Sequence, residues 1–443
     1  MYRDGNVKDC IRVGMFGMGV VGTGVVELLQ KNRETIEKRV GMPVRIVKSV
    51  VANKKKKRNV DISSIALSDD LSFILDDPEI DIVLELMGGI EPAEKVILSA
   101  LKSGKSVVTA NKALLAERAR VIFPAAYDAR GHFGFETSVG GGIPIIRTMR
   151  EGFAGDEIQE ISGIMNGTAN YILSRMTAEG IPFHDVLKEA QKQGYAETNP
   201  TFDIEGYDTA HKLIILMHLA FSGYFDYQSL YVEGIAQITL NDIEYARELG
   251  YQIKLLGKAR KTKQGIEGRV HPTMVPNTHM LATVSGAFNA ISVHGNFVGP
   301  IMLHGSGAGA YPSASAVVSD LVEACRFQLY GQKTPLPPIS VQKKNLKSIP
   351  IVPIGDVETE YYLRFPVKDK IGVLWQIAKI LSENHISIRF VIQRNATYIP
   401  GKPVDVVIVT HTSVEKNVQN AIKAIDLLPF MTDKTKLIRM DPD

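Results

Sequence analysis

The sequence has few cysteines, one tryptophan, little net charge and no long apolar run. Two cysteines among 443 residues, Cys10 and Cys325, cannot form a disulfide framework and suit a reducing cytoplasm. The net charge of +3 is too small to indicate a nucleic-acid partner. The charged N-terminus lacks the apolar core of a signal peptide, and the longest apolar helix pattern, residues 213–221, is far too short to span a bilayer. We therefore expect a cytoplasmic protein with no membrane partner.

The remaining composition is that of a soluble globular protein. Hydrophobic residues make up 45% and charged residues 22% of the chain. A length of 443 residues exceeds what one core supports, and it predicts about three domains.

Near the N-terminus, a glycine-rich turn joins a strand pattern to a helix pattern. Residues 11–17 read as a buried strand, Gly17, Gly19 and Gly22 form the motif GxGxxG, and residues 25–29 open an amphipathic helix. These glycines permit a tight turn and close approach of a pyrophosphate, which the helix N-terminus stabilises. Glycine-rich turns are common, but this context favours a dinucleotide site over a bare turn, with Val20 among the contacts.

The second strand pattern, 44–52, ends without the acidic residue that would hold the ribose 2′-hydroxyl of NAD. It leads instead into Asn53 and five cations at 54–58. Cations at this place could accept the 2′-phosphate of NADP. Most charge runs are solvated loops, so the sequence favours NADP and leaves NAD open.

Two further strand patterns, 80–86 and 106–109, alternate with a helix pattern at 92–102. This alternation predicts an α/β fold with a doubly wound parallel sheet, of Rossmann type. Such sheets bind ligands at the carboxyl ends of their strands, where Gly88 and Lys112 follow. Lys112 is either a surface lysine or a cation facing cofactor and substrate, and its position favours the second.

Two glycine-rich loops follow in the middle of the chain. Glu136 precedes the loop 137–144, and its oxygens with the loop carbonyls could hold a cation, although a plain strand-to-helix turn fits equally well. The second loop, 305–312, opens a helix pattern at 313–330 whose N-terminus could contact a phosphate or the nicotinamide. A flexible linker would have a similar composition.

At 194–223, an acidic, turn-rich segment leads into a nearly all-apolar helix pattern. Asp208 and Lys212 lie four residues apart, and therefore on one face of that helix near its N-terminus. A lysine beside carboxylates and apolar residues is a poised proton donor, because burial and nearby charge set its pKa. An ordinary surface ion pair is the alternative, but so apolar a helix is hard to leave in water. We predict a buried, functional pair, with the carboxylates of Glu197 and Asp203 in the same segment.

The rest of the chain predicts elements without chemistry of their own. Before the acidic segment there is a strand at 158–164 and a helix capped by residues 166–168, and after it a strand at 232–238 and a helix at 241–257 capped by Asn241 or Asp242. Five prolines between 335 and 353 indicate a linker. Beyond it, the order βαββαβ from strand 358–367 to strand 436–440 predicts a small ferredoxin-like α+β unit with a binding or regulatory role.

The whole chain resembles homoserine dehydrogenase, in the form that carries a C-terminal ACT domain. The resemblance rests on seven long motifs: GMFGMGVVGTGVV at 14–26, LMGGIEPA at 86–93, GKSVVTANKALLA at 104–116, FETSVGGGIPII at 135–146, GIMNGTANYILSRM at 163–176, GYAETNPTFDIEGYDTAHKL at 194–213 and GSGAGAYPSASAVVSD at 305–320. It implies the NAD(P)(H)-dependent interconversion of L-aspartate 4-semialdehyde and L-homoserine, on the route to threonine, methionine and isoleucine.

The resemblance also implies roles for single residues. Lys212 would give a proton to the carbonyl oxygen, with Asp208 as its partner carboxylate. Glu197 would bind the substrate amino group and Asp203 would support the site, while Lys112 would contact substrate and cofactor. Beyond these, the resemblance implies cofactor contacts at Gly194 and Gly309 and a sodium site at Glu136, Val139, Gly141 and Ile143.

The implied organisation has three domains. They are a Rossmann-type dinucleotide domain at 1–137 completed by the helix 313–330, an α+β catalytic and dimerisation domain at 138–312, and, after a linker at 331–357, a ferredoxin-like ACT domain at 358–443. The ACT domain would bind an amino-acid effector such as threonine, and we expect a homodimer or homotetramer. Two positions depart from the family pattern: Asn53 stands where a basic residue is frequent, and Ile371 where proline is usual.

Two other functions are open from the sequence. One is an amino-acid sensor whose Rossmann part has lost catalysis, which the presence of Lys112, Glu197, Asp208 and Lys212 disfavours. The other is a dehydrogenase of related fold for a different amino-acid semialdehyde, which the match over 194–213 disfavours.

Overall fold

A computed structural model of the chain describes residues 2–3, 6–7, 9–331, 336–394 and 403–441. Residues 332–335 of the predicted linker, and 395–402 and 442–443 of the predicted ACT domain, lie outside the described residues. The chain divides into two compact units, of which unit 1 holds Met1–Ile161, Ala210–Gln228 and Phe288–Ile349, and unit 2 holds Ser162–Thr209, Ser229–Ala287 and Pro350–Asp443. Among the described residues, no helix is both long enough and apolar enough to cross a membrane.

Unit 1 contains a six-stranded parallel sheet, which confirms the predicted Rossmann-type fold. In spatial order its strands are Ala66–Ser68, Val44–Val50, Ile11–Phe16, Ile82–Glu85, Ser106–Thr109 and Phe133–Gly134. The chain starts in the middle, builds outward to one edge, and then returns to build the other side. The strand Ile82–Glu85 is buried throughout, as strands covered by helices on both faces are.

The helices of this part are Val20–Lys31, Arg33–Val40, Ser72–Leu75, Ala93–Lys102, Lys112–Glu117 and Ala119–Asp128. A seventh comes from far along the chain, at Ala310–Leu329, three residues earlier than the sequence predicts. Its buried residues Val317 and Leu321 belong to the same apolar core as Val13 and Val25 of the first strand and helix. The late helix therefore completes the hydrophobic core of the nucleotide-binding sheet.

The rest of unit 1 supports the glycine-rich loops in the middle of the chain. A short helix at Ile145–Arg147 continues into a π-turn at Thr148–Gly152. The strands Phe288–Gly295 and Gly299–Ser306 form an antiparallel pair, and the former is next to Ile158–Ile164, the strand that runs from unit 1 into unit 2. The apolar helix predicted from the sequence is Tyr207–Ala220, which begins in unit 2 and continues in unit 1.

Unit 2 contains the helices Gly167–Glu179, Phe183–Lys192, Thr201–Ile204 and Leu240–Glu248 and the strands Tyr231–Val232, Tyr251–Thr262 and Gly265–Pro276. The prediction of one helix at 241–257 was wrong, because Gly250 takes a φ of 82° and the chain turns there into a strand. The predicted caps were wrong as well: Thr239 caps this helix, with Asp242 completing a capping box. The predicted strand 232–238 is limited to Tyr231–Val232.

The C-terminal part of unit 2 confirms the predicted βαββαβ order. Its elements are Glu358–Lys368, Val373–Glu383, Ile388–Gln393, Pro403–Thr410, Glu415–Ile425 and Lys436–Met440. The last strand lies between Glu358–Lys368 and Gly265–Pro276, and pairs in parallel with the latter. The C-terminal module thus shares one mixed sheet with the middle of the chain.

Candidate active site

The GxGxxG turn of unit 1 has the geometry that its sequence predicts. Gly17 follows the strand Ile11–Phe16 with a φ of 92°, and Gly19 caps the helix Val20–Lys31. A Cβ on Gly22 would overlap the carbonyl oxygen of Gly17, whereas around Gly19 there is open space. Val20 is 72% exposed at the helix start. The turn is tight on its inner side and open on its outer side, as a pyrophosphate-binding turn requires.

The carboxyl ends of three neighbouring strands meet beside this turn. Phe16 pairs with Glu85, and Glu85 pairs with Thr109, so the turn after Phe16, the loop 86–89 and Lys112 leave the sheet at one edge. Asn111 caps the helix that begins at Lys112, accepting a hydrogen bond from Leu114 N. The register confirms that Gly88 and Lys112 follow strand ends on the edge where such sheets bind ligands.

A buried carboxylate that the sequence reading missed organises this edge. Glu85 is fully buried; its Oε1 accepts the N–H of Met87 at 2.9 Å, and its Oε2 accepts the hydroxyl of Thr109 at 2.7 Å. The amide of Asn111 donates across to the carbonyl of Gly89 at 2.6 Å. One carboxylate and one amide therefore fix both loops. The signal in the sequence was an acidic residue inside an otherwise apolar strand pattern.

The basic run at 54–58 lies near the glycine turn. The guanidinium of Arg58 donates to the carbonyls of Asn53 and Lys56, and its Nε lies 3.5 Å from the carbonyl oxygen of Met18. Lys54 pairs with Asp69 at 2.8 Å, and both side chains are largely exposed. Both ends of the run are therefore held, and the Arg58 end lies beside the dinucleotide turn.

The loop predicted to hold a cation lies against the second glycine-rich loop. Gly140 and Gly141 both have positive φ, and a Cβ on Gly141 would lie 2.6 Å from the carbonyl of Gly307. The carboxylate of Glu136 is already engaged, accepting the N–H groups of Ile146 at 2.7 Å and Arg147 at 2.9 Å. The carboxylate in the predicted ion site is therefore committed to two backbone N–H groups.

This loop rests on a buried acidic pair. Asp320 Oδ2 accepts the backbone N–H of Glu136 at 2.8 Å. Burial, followed by the negative charge of Glu136, raises the pKa of Asp320 to about 7. Burial likewise raises the pKa of Glu136, although two backbone N–H groups oppose the shift.

The lysine-bearing helices of unit 1 are joined through a histidine. Lys212 is buried on the helix Tyr207–Ala220, 7% exposed. Its neighbour His211 places Nε2 3.4 Å from Oε1 of Glu117, the last residue of the helix that begins at Lys112. Unit 1 therefore holds both predicted lysines on helices in direct contact.

Unit 2 brings together the predicted carboxylates through an amide. Asn166 Nδ2 donates to Asp203 Oδ1 at 2.7 Å and to Asp208 Oδ2 at 2.8 Å. Its Oδ1 accepts the N–H of Ala169, so the same side chain caps the helix Gly167–Glu179. Asp208 is 3% exposed, which confirms the predicted burial of this carboxylate on the apolar helix. The sequence identified Asn166 as a cap but not as the bridge between two acids.

The remaining predicted residues of unit 2 lie on an exposed turn. Gly194 follows the helix Phe183–Lys192 with a φ of 77°, as a residue just past a helix C-terminus does. Glu197 is exposed, and its carbonyl accepts a hydrogen bond from Gln191.

In unit 1, Gly309 caps the helix Ala310–Leu329 and has a φ of 120°, a backbone conformation that residues with a side chain rarely adopt.

Models of three families match the chain. The model described as homoserine dehydrogenase, NAD binding domain, matches residues 17–136, and the model described as homoserine dehydrogenase matches 144–322. A model of the ACT domain matches 361–427. The matched ranges together cover most of the chain.

Relatives match over nearly their full length. The homoserine dehydrogenase of Neisseria gonorrhoeae is 42% identical over 97% of this chain and 98% of its own, and that of Pseudomonas aeruginosa 41% over 97% and 99%. A crystal structure of a homoserine dehydrogenase from Thiobacillus denitrificans superimposes with a TM-score of 0.91 at 44% identity, covering 98% of each chain.

Proposed function

The chain belongs to the homoserine dehydrogenase family, and we infer from this that it is an NAD(P)-dependent oxidoreductase that interconverts L-homoserine and L-aspartate 4-semialdehyde. The observation that carries the assignment to this site is the bridge from Asn166 to Asp203 and Asp208. Asp208 lies four residues before Lys212 on the helix Tyr207–Ala220. Carboxylates held in fixed positions beside a buried lysine suit a substrate that carries an amino group and a reactive carbonyl.

We propose that Lys212 handles the proton of the reaction. In the reductive direction the carbonyl oxygen gains negative charge as hydride arrives, and a cationic lysine stabilises that charge and then gives up its proton. Asp208, one helical turn before it, holds the ammonium group in place and favours its charged form. Lys112 adds a second positive charge where substrate and cofactor meet.

We propose that the other acidic residues bind the substrate. The carboxylate of Glu197 would accept hydrogen bonds from the α-ammonium group of homoserine. Asp203 would keep Asp208 in position through the amide of Asn166, which both carboxylates share. The turn 17–22 would hold the pyrophosphate of the cofactor, and Gly194 and Gly309 would add further contacts. The bound cofactor would supply or accept the hydride through its nicotinamide. The cations at 54–58 support NADP as the preferred form, since their anchored position suits a 2′-phosphate.

We propose a sodium site at the glycine-rich loop after Glu136, formed by Glu136, Val139, Gly141 and Ile143, with mostly backbone oxygens as ligands. The ion would fix the loop that leads to the helix carrying Arg147, with no step of the reaction passing through it. We also propose a cytoplasmic location, assembly as a homodimer or homotetramer, and feedback by an amino acid such as threonine, through the domain that the ACT model matches.

An initial-rate assay with L-homoserine and each of NAD and NADP tests the function. We expect a saturable increase in reduced nicotinamide absorbance, with a higher kcat/KM for NADP. A greater kcat/KM for NAD would show that the cations at 54–58 do not select the 2′-phosphate. If a folded sample showed no rate with either cofactor, the amino-acid sensor would become the leading assignment.

A further inference from the structure

A buried ionic cluster joins the last strand of the chain to the segment beside the substrate carboxylates. Arg439, on Lys436–Met440, is 2% exposed. Its guanidinium binds both carboxylate oxygens of Glu415, at 2.9 and 2.7 Å, and reaches Glu233 Oε2 at 2.7 Å. The hydroxyl of Tyr231 donates to the same Glu233 oxygen at 2.8 Å. Glu233 is therefore held by two donors, one of them charged and from the C-terminal module.

The backbone beyond Glu233 seats the short helix that carries Asp203. The N–H of Ile235 donates to the carbonyl of Ile204 at 2.8 Å. At Gly234 the two segments touch so closely that a Cβ would overlap the Ile204 carbonyl and lie 2.6 Å from Cα of Glu205. The N–H of Glu233 is itself held by the carbonyl of Val270 at 2.8 Å. A shift of residues 233–235 that breaks this hold would press on the end of the helix Thr201–Ile204.

The helix Thr201–Ile204 is in turn connected to the substrate carboxylates. Asp203 is the residue before Ile204, and it shares the amide of Asn166 with Asp208. The path from Arg439 to Asp208 runs through close polar contacts and one short helix, all within unit 2. Tight interiors transmit displacement rather than absorb it, because they contain few voids.

We propose that Arg439, acting through Glu233, is a positioning residue for the substrate carboxylates Asp203 and Asp208, a role that rests on the function proposed above. The C-terminal module thereby sets substrate affinity through a contact at its last strand. In this proposal Arg439 and Glu233 act through other residues and not by contact with substrate or cofactor. Their effect is on the KM for homoserine, since the dinucleotide turn is held by other contacts.

The structure offers a matched control in a second buried arginine of the same module. Arg364 is 6% exposed and binds Asp242 through Nε at 2.7 Å and Nη2 at 3.2 Å. Asp242 lies on the helix Leu240–Glu248, apart from the contacts to Ile204 and Glu205 described above. Loss of either arginine removes a buried tie between the module and the middle of the chain. Arg439 binds Glu233 directly, whereas Arg364 reaches the same segment by a longer route, through Thr239 and the hydrogen bond from Ile238 N to the carbonyl of Ile235.

The test compares steady-state kinetics of Glu233→Gln, Arg439→Met, Arg439→Lys and Arg364→Met in the full-length protein. Glu233→Gln keeps the side-chain shape, and we expect it to raise the KM for homoserine about three- to tenfold while the KM for NADP changes by less than about twofold. Arg439→Met should do the same or more, and Arg439→Lys should restore part of the affinity. Arg364→Met should lower the melting temperature with a smaller rise in homoserine KM than Arg439→Met, because its route to residue 235 is longer.

Each result decides the role. An unchanged homoserine KM in folded Glu233→Gln would overturn the proposal. A rise in homoserine KM in Arg364→Met equal to that in Arg439→Met would also overturn it, because it would indicate a general loss of packing between the module and the middle of the chain. The homoserine KM of the double variant Glu233→Gln/Arg439→Met should be no higher than that of the worse single variant, because both substitutions break the same path. Additive effects of the two substitutions on KM would refute the proposal. The wild-type rate is measured first: an inactive wild type refutes the proposed function, whereas an active wild type with unaffected variants refutes the positioning role alone.

Discussion

Replacement of Asn166 by alanine should damage stability and substrate use together. Its amide makes two hydrogen bonds to carboxylates, at 2.7 and 2.8 Å, and its carbonyl caps a helix through Ala169. Hydrogen bonds to charged groups contribute about 1.5–3 kcal/mol each, and a lost N-cap about 1 kcal/mol. The free energy of unfolding should therefore fall by about 4–7 kcal/mol in Asn166→Ala.

The aspartate variant separates the cap from the bridge. Aspartate is as good an N-cap as asparagine, so Asn166→Asp keeps the helix start. It loses the N–H donor and places a third carboxylate between two others, where like charges repel. We expect kcat/KM for homoserine to fall about 10- to 100-fold in both variants, with the larger loss in Asn166→Asp.

Urea unfolding and initial rates with homoserine measure the two effects, and Asn170→Ala is the control. Asn170 lies one turn further along the same helix, is 1% exposed, and donates to the carbonyls of Val284 and Gly286. Its loss should cost stability but little affinity for homoserine. If Asn166→Asp kept the wild-type kcat/KM, or lost no more of it than Asn170→Ala, the bridge would have no part in the site.

Three further outcomes follow from the same structure. Lys212→Ala should lower kcat by orders of magnitude while the dissociation constant of NADPH, measured by its fluorescence, stays the same; the opposite result would assign Lys212 to the cofactor. Burial lowers the pKa of His218 from 6.5 to about 4, so this group alone should lower the free energy of unfolding by about 3 kcal/mol between pH 6.5 and pH 4. The pH dependence should become shallower in His218→Gln, and an unchanged slope would refute this contribution. Titration of threonine should lower activity and give calorimetric binding; unchanged rates without heat, for threonine and methionine alike, would remove the proposed feedback.

The nucleotide-binding part was readable from the sequence because its determinants are local. A strand, three glycines and a helix within residues 11–31 define the turn, and Lys112 follows a strand whose carboxyl end the sheet topology fixes. The C-terminal βαββαβ order was likewise readable, since each element carries its own apolar periodicity. In contrast, the prediction of helix 241–257 failed at Gly250. Tyr251, Ile253 and Leu255 after this glycine alternate with polar residues, as in a strand, so the change of period marks the end of the helix.

The substrate side was only partly readable because its partners are distant in sequence. The acidic segment pointed to Asp203 and Asp208, but nothing near them predicts that Asn166, 37 residues before Asp203, bridges the pair. Nor does a pattern reveal that Glu85 ties together the loops 86–89 and 109–112. Such contacts depend on the fold that brings the segments together, and a periodicity in one segment carries no information about them.

This difference has a consequence for how the site is controlled. The dinucleotide turn is held by its own backbone, since Gly22 meets Gly17 within one motif. The substrate carboxylates are held by the amide of Asn166, from a distant segment. The helix that carries Asp203 is held in turn by the backbone of Ile235, close to the Glu233 that Arg439 binds. A site built in this way can change its affinity for substrate without losing its cofactor, because a small shift at residues 233–235 reaches Asp203 and bypasses the glycine turn. The C-terminal module therefore acts on the part of the site that depends on contacts between distant segments of the chain, which is the part that binds homoserine.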